Sequence, residues 1–208
     1  MVHGYHVILT MYGFWLPNDP RGSWCDFVGR WELVQFGKAR RSMDRKSLEE
    51  LTPTERSQRE VAQKALIYPS VTLDAQQIQS VADGFAEATD KSKYSIWASA
   101  IMPEHTHLVI ARHSYNVEQI ATLLKGAATR KIVEHKRHPM QHLKLKPGER
   151  LPTMWAGGCW KLFLDSETAI ENAIGYVENN PIEAGKPKQV WPFVTPFRGL
   201  EPGWITYH

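Results

Sequence analysis

Two apolar segments that almost touch in the sequence constrain this chain most. Residues 94–102 and 105–112 are rich in apolar, β-branched and aromatic side chains, and only Pro103 and Glu104 separate them. A connection this short fits a turn between antiparallel strands. The sequence therefore predicts a tight β-hairpin over residues 94–112.

Helical and strand-like patterns surround this hairpin, and their order predicts the fold. The order is the split βαβ pattern of an α+β protein. It predicts a ferredoxin-like antiparallel sheet with helices on one face and an insertion after strand 1. The predicted elements are a strand over 5–12, a helix over 74–91 capped by Asp74, the hairpin, a helix capped by Ser114 or Asn116, a strand over 158–164, and a last helix capped by Asp165 or Ser166 and ended by Asn180-Pro181.

Length and composition fit one domain. At 208 residues, with 42% hydrophobic and 23% charged residues, the chain is typical of a soluble globular protein with a full core. We expect a single domain over residues 1–208, with an insertion over 23–70 and a C-terminal tail over 186–208. A short helix is expected in the insertion, because Thr52 can cap it and Glu55 follows three residues later.

Two features bear on cellular location. Cys25 and Cys159 are far apart and form neither a disulfide framework nor a Cys-x-x-Cys site, so a reducing cytosol is expected. No stretch approaches the ~20 apolar residues of a membrane span. The sequence thus predicts a cytoplasmic protein. The net charge of +3 is only mildly basic.

A His-x-His pair lies at the start of the second hairpin strand. Side chains alternate along a strand, so His105 and His107 share one face, ~6.6 Å apart along the chain, and Thr106 points the other way. Two imidazoles at this separation can converge on one divalent cation. Taken alone, the pair is also compatible with two ordinary half-buried histidines.

A second pair of polar side chains lies on the last predicted helix. Tyr176 and Asn180 are four residues apart and hence on one face, beside the apolar stripe. The helix thus presents a phenol hydroxyl and an amide oxygen side by side. An amphipathic tyrosine and a C-terminal asparagine without any chemistry are the plain alternative.

Together these motifs resemble one family. Met-Pro-x-His-x-His-Leu-Val over 102–109, followed by Tyr-Val-Glu-Asn-Asn-Pro-Ile-Glu-Ala-Gly over 176–185, resembles the single-tyrosine HUH transposases. The most similar branch is that of the REP-associated tyrosine transposases. Residues 12–22 and 155–164 are also similar to segments of that branch. The resemblance covers most of the chain except residues 23–70 and the tail.

The resemblance implies a role for each matching residue. His105 and His107 would be metal ligands, Tyr176 the nucleophile, and Asn180 a polar third ligand one helical turn later. One departure is Glu104, where the branch usually has asparagine. A carboxylate there would act as a further ligand or would repel phosphate.

The chemistry that the resemblance implies is compatible with these residue types. Two neutral imidazoles and an amide leave a bound Mg²⁺ or Mn²⁺ its full positive charge, which can polarise a scissile phosphate. Manganese suits mixed nitrogen and oxygen ligands better than magnesium does. By resemblance, attack of Tyr176 on DNA would give a 5′-phosphotyrosine link and release a 3′-hydroxyl, so that strands can be joined without ATP.

The substrate implied by the resemblance is single-stranded DNA folded into a hairpin, bound by a monomer or a homodimer. A DNA partner implies that this cytoplasmic protein is associated with the nucleoid. Residues 113–150 carry eight Lys and Arg against three Asp and Glu, which suits a track for phosphates. The candidate DNA-binding residues are Lys125, Arg130, Lys131 and Arg21. Aromatic side chains can stack unpaired bases. The candidates are Trp15, Trp24 and Trp155, with core packing as the alternative for each.

Three other functions are compatible with the same residues. A non-catalytic protein of this fold would keep hairpin binding after losing transposition. A metal-dependent nuclease that uses water would need the histidines but would tolerate Tyr176→Phe. An unrelated ferredoxin-like RNA-binding module would depend on strand aromatics and basic residues, and would ignore both the metal and the tyrosine.

Overall fold

The structure is a computed structural model that describes residues 1–16, 50–143, 146 and 148–200. The predictions that concern Arg21 and Trp24 lie outside these residues. None of the helices within them is long and apolar enough to cross a membrane. The elements in chain order are β1 (Gly4–Thr10), α1 (Pro53–Lys64), α2 (Ala75–Ser92), β2 (Ile96–Ile101), β3 (His105–Ala111), α3 (Val117–Glu134), β4 (Trp160–Leu164) and α4 (Glu167–Glu183).

The strands form one antiparallel sheet in the order β2-β3-β1-β4. β1 lies inside the sheet and pairs with both β3 and β4, while β2 and β3 form the predicted hairpin. The connection from β1 to β2 contains α2, and the connection from β3 to β4 contains α3. This is the ferredoxin-like split βαβ arrangement, so the predicted fold class is confirmed.

Each helix begins at a residue whose side chain caps it. Thr52, Asp74 and Asn116 each accept a hydrogen bond from the backbone N–H three residues on, and the Glu or Gln there bonds back to the cap. Ser166 caps α4 in a similar way. These bonds satisfy N–H groups that have no partner inside the helix, which is why the helices begin there. The sequence offers two possible caps for each of α3 and α4. In the structure the cap of α3 is Asn116 and the cap of α4 is Ser166.

The end of α4 differs from the prediction. The sequence predicts a stop at Asn180-Pro181, whereas the helix continues to Glu183 with Pro181 inside it. A proline removes one backbone N–H and disfavours a helical residue before it. Only one turn follows here, and it is closed by the Ala184 N–H, which donates to the Asn180 carbonyl at 3.2 Å. Burial of the Pro181 ring also favours the continued helix.

Two long helices cover one face of the sheet. α2 and α3 pack on each other and on strand residues such as Leu9 and Leu108, which are fully buried. The two helices approach most closely at Gly84, where a Cβ atom would lie 2.5 Å from the Cα of Ala128. A larger residue at position 84 would therefore force the helices apart.

The last helix covers the opposite face of the sheet. α2 and α3 lie on one face as predicted, whereas α4 packs its buried stripe, which includes Val177, on Ala98, Ala100 and Val109. Ala98 and Ala100 have small side chains, so the helix can lie close to β2. This position brings Tyr176 over the face that carries His105 and His107.

The segment after α4 covers the outer edge of β2. The Thr195 N–H donates to the Ile96 carbonyl at 2.8 Å, and Val194 forms a parallel bridge with Ile96. The side-chain amide of Gln189 bonds both the N–H and the C=O of Ile101, at 2.8 Å each. The outer edge of β2 is thus covered at both of its ends, which limits its pairing with another chain. The described part of the predicted tail, residues 186–200, therefore contacts the sheet at β2.

Candidate active site

Three histidines and a tyrosine meet on the sheet face under α4. We call His6 of β1, His105 and His107 of β3, and Tyr176 of α4 the ring cluster. The His107 ring lies at its centre, with its centroid 4.8 Å from that of His105, 5.3 Å from that of His6 and 5.5 Å from that of Tyr176. Three of these four residues are the ones singled out in the sequence, and the fourth, His6, is not.

Strand register explains why the histidines share this face. β1 and β3 pair so that Ile8 lies opposite His107 and Leu9 lies opposite Thr106. Residues directly opposite in an antiparallel pair point to the same side of the sheet. Thr106 is accordingly buried on the α2 and α3 side with Leu9, as the alternation predicts.

Tyr176 presents its ring edge to two histidines while remaining accessible. Its plane makes an angle of 64° with the His6 ring and 81° with the His107 ring. The side chain is 41% exposed, whereas Val177, the next residue, is fully buried and anchors the helix. The Tyr176 residue is therefore partly open to solvent while its helix is anchored.

The His6 and His107 imidazoles are hydrogen-bonded to each other. The distance from His6 Nε2 to His107 Nδ1 is 3.1 Å, and both residues are buried. Burial lowers the pKa of His6 from 6.5 to about 4, so its ring is neutral at physiological pH. One sequence signal was available for this residue. An imidazole inside an otherwise apolar central strand needs a polar partner.

His105 is held from the other side by an aromatic ring. The Phe14 ring stacks on His105, with 5.3 Å between centroids and 15° between planes. Trp15 packs edge-on against Phe14 at 5.1 Å. The predicted base-stacking residue Trp15 thus adjoins the ring cluster.

The two remaining candidate metal ligands differ in position. Asn180 lies one helical turn beyond Tyr176 and is half-buried. Glu104 is also half-buried, in the turn before His105, and its backbone carbonyl accepts from the Met11 N–H at 2.8 Å. Within the described residues, no three or more His, Cys, Asp or Glu side chains form a group that could hold a metal ion. Glu104 does not complete such a group with the two histidines.

Lys125, a predicted DNA-binding residue, is directed toward a loop. Its ammonium group donates to the carbonyl of Ala156 at 2.8 Å and to that of Gly158. Burial lowers the pKa of Lys125 to about 8. These contacts indicate that Lys125 fixes the loop before β4, and its placement does not favour phosphate binding.

The other basic and aromatic candidates are arranged differently. Lys131 is paired with Glu134 at 2.9 Å and with Glu87 at 3.3 Å, so its charge is partly offset. Arg130 is exposed on α3. Trp155 is only 4% exposed and belongs to the core, which is the alternative stated for it above.

The fold and the ring cluster together define a class. It is an α+β protein in which a His-x-His strand faces an accessible tyrosine on the last helix. Sequence comparison identifies the family, since the model of the family described as "Transposase IS200 like" matches residues 67–180, more than half of the chain. The chain therefore belongs to the IS200-like transposase family. A DNA-processing role as a transposase follows from this membership.

Two solved structures are similar over most of the chain. A REP-associated tyrosine transposase bound to a REP hairpin is 13% identical, covering 92% of this chain and 74% of that one, with a TM-score of 0.47. A proposed transposase from Deinococcus radiodurans R1 is 14% identical, covering 86% and 91% of the two chains, with a TM-score of 0.40. Comparison with curated proteins gives no match. At these values neither structure says what this chain acts on.

Proposed function

We propose that this transposase cleaves and rejoins single-stranded DNA at REP-like hairpins, through a covalent bond between Tyr176 and a 5′ phosphate. The observation that carries the proposal is the position of Tyr176, whose accessible ring lies 5.5 Å from the ring of His107. Family membership supports action on DNA. The choice of a single-stranded hairpin, and of the REP-associated branch, rests on the sequence motifs described above.

The covalent step exchanges one phosphate ester for another. The Tyr176 oxygen attacks the scissile phosphorus, and the bond from phosphorus to the 3′ oxygen breaks. The phenol proton is lost to solvent and the leaving 3′ oxygen gains a proton. Because the new tyrosine ester retains the energy of the broken ester, a 3′-hydroxyl can later attack it and join strands without ATP.

The residues that would hold a divalent cation are His105, His107 and Asn180. The two imidazoles project from one sheet face, and an amide oxygen is available one turn after Tyr176. This mixed nitrogen and oxygen set fits Mn²⁺ better than Mg²⁺. When bound, the ion would supply positive charge that offsets charge developing on the scissile phosphate. The Phe14 ring stacks on His105 and His6 is hydrogen-bonded to His107, so both imidazole rings are held in place.

The test is an adduct assay with labelled single-stranded hairpins from the DNA that flanks the gene. The protein is incubated with Mn²⁺ and analysed on a denaturing gel. We expect a shifted band that requires the metal and is absent from Tyr176→Phe. Tyr115→Phe is a matched control, because Tyr115 is 43% exposed and Tyr176 is 41% exposed. The control should form the adduct normally.

Other outcomes would point to other functions. Undiminished strand cleavage by Tyr176→Phe would indicate a nuclease that uses water. Tight hairpin binding with neither cleavage nor adduct, in the presence of Mn²⁺, would indicate a non-catalytic binder. Either result would contradict the proposed strand transfer.

A further inference from the structure

We propose that His6 is a positioning residue, whose Nε2 accepts a hydrogen bond from His107 Nδ1 and thereby leaves His107 Nε2 as the metal-binding nitrogen. The inference rests on the proposed function, because it assigns His107 to a metal. It adds a residue from β1 to a site that the motifs place only on β3 and α4. It also specifies which nitrogen of His107 faces the ion.

The geometry of the pair is that of a direct and protected contact. His6 and His107 are diagonal neighbours on adjacent strands, since the register pairs His6 with Val109 and Ile8 with His107. The distance from His6 Nε2 to His107 Nδ1 is 3.1 Å. His6 is 6% exposed and His107 is 3% exposed. Water cannot readily replace either partner at such burial.

The His6 ring is also fixed by its other neighbours. The Trp160 ring meets it edge-on at 5.5 Å, and the Tyr176 ring lies at 5.6 Å. A side chain locked on several sides can fix the orientation of its own hydrogen-bond partner. His107 is held on its second side by His105, which is 4.8 Å away and nearly perpendicular to it.

The chemistry of two imidazoles determines which way the hydrogen bond runs. A bond between two ring nitrogens needs one N–H and one lone pair. A neutral imidazole that binds a metal through Nε2 must carry its proton on Nδ1, so His107 must be the donor and His6 the acceptor. Metal-binding histidines in general donate the second ring N–H to a neighbouring acceptor, and removal of that acceptor weakens metal binding about 10- to 100-fold.

A purely structural histidine would behave differently. If His6 served only to fill the space between Trp160 and Tyr176, a phenylalanine would replace it well. His6→Phe keeps the ring and removes the acceptor. His6→Gln removes the ring but can place its side-chain oxygen where Nε2 lies. The two variants therefore separate packing from hydrogen bonding.

The first measurement needs no variant. Nitrogen-15 NMR of the ring nitrogens in the unmodified protein reports which nitrogen of His107 carries the proton. We expect Nδ1–H, the tautomer that free histidine side chains favour less. Finding the proton on Nε2 of His107 would overturn the proposal.

The second measurement is Mn²⁺ binding by calorimetry. We expect His6→Phe to bind Mn²⁺ about 10- to 100-fold more weakly and to move the His107 proton toward Nε2. His6→Gln should bind close to the unmodified protein. The control is His135→Phe, which likewise removes a ring-nitrogen hydrogen bond, to Ser80 at 2.9 Å, far from the ring cluster. Unchanged binding by His6→Phe, or equal losses in both His6 variants, would overturn the role assigned to His6.

One further variant separates this inference from the proposed function. His107→Ala should abolish Mn²⁺ binding at the site. If it does so while His6→Phe binds normally, the metal site stands and only the role of His6 is wrong. If His107→Ala binds Mn²⁺ as the unmodified protein does, the proposed metal site is wrong and the inference falls with it.

Discussion

The ring of Tyr176 meets the ring of His107 nearly at a right angle, with 5.5 Å between their centroids. This contact joins the last helix to the third strand, so it depends on how closely α4 packs on the sheet. Ala100 lies directly opposite His107 on β2 and is fully buried beneath that helix. The small side chain of Ala100 therefore lets α4 bring Tyr176, the proposed nucleophile, close to His107, a candidate ligand.

Enlarging Ala100 should move the tyrosine away from the histidines. Ala100→Leu adds volume under α4, and overpacking of this kind typically costs about 1–3 kcal/mol of stability. We expect the yield of covalent adduct to fall by more than tenfold while hairpin binding is retained. Adduct formation is measured by gel and stability by urea unfolding.

A control with similar destabilisation isolates the geometric effect of Ala100→Leu. Ala127→Leu also overfills a buried alanine site, but on the opposite face, between α2 and α3. It should lower stability and leave the adduct yield of the folded protein unchanged. Equal losses of adduct in the two variants would show that stability, and not the position of Tyr176, limits the reaction.

Removal of either candidate metal ligand should separate cleavage from binding. His105→Ala or His107→Ala should abolish cleavage but leave most hairpin affinity, because phosphates are held mainly by Lys and Arg. Cleavage is measured by gel and binding by fluorescence anisotropy. His113→Ala, outside the ring cluster, is the control and should change neither. Loss of binding together with cleavage, in a folded variant, would mean that the metal is central to recognition.

The hairpin, the caps and the His-x-His face could be predicted because each depends on local rules. Alternation along β3 places His105 and His107 on one face, whatever the rest of the chain does. Reciprocal capping bonds likewise involve only residues three apart, which is why Asp74 could be identified from sequence alone.

The remaining features depend on contacts between distant segments. His6 is on the correct face by alternation, but only the register of β1 against β3 makes it a neighbour of His107. The face chosen by α4 depends on Ala98 and Ala100, whose small size has no periodic signature. Pro181 is tolerated in a helix because it is buried and close to the end, and neither condition is visible locally.

The predicted DNA-binding residues of α3 should contribute unequally to hairpin binding. Arg130 is exposed, whereas Lys131 is paired with Glu87 and Glu134 and Lys125 donates to loop carbonyls. Arg130→Ala should weaken hairpin binding and reduce the slope of log affinity against log salt by about one. Lys125→Met should leave both unchanged. Anisotropy titrations at several salt concentrations decide this, and a reduced slope for Lys125→Met would restore Lys125 as a phosphate contact.

The half-buried ammonium of Lys125 should also give stability a specific pH dependence. Burial lowers its pKa from 10.5 to about 8, while the unfolded chain keeps the ordinary value. Between these pH values the unfolded state binds more protons than the native state, so the contribution of Lys125 to stability rises with pH. It is lowest below pH 8 and complete above pH 10.5. Lys125→Met keeps the apolar stem and removes the titration.

We therefore expect the free energy of unfolding of the unmodified protein, minus that of Lys125→Met, to increase from pH 8 to pH 10.5. Urea unfolding of both proteins at a series of pH values measures this difference, in which groups that do not interact with Lys125 cancel. The Cys159 thiol does interact with Lys125, so both proteins carry Cys159→Ala in this comparison. Two hydrogen bonds oppose the lowering of the Lys125 pKa by burial. The ammonium donates them to the Ala156 and Gly158 carbonyls, and they favour its charged form. A difference that stays flat from pH 8 to pH 10.5 and falls only above pH 10.5 would show that these bonds outweigh burial and that the folded pKa is raised instead.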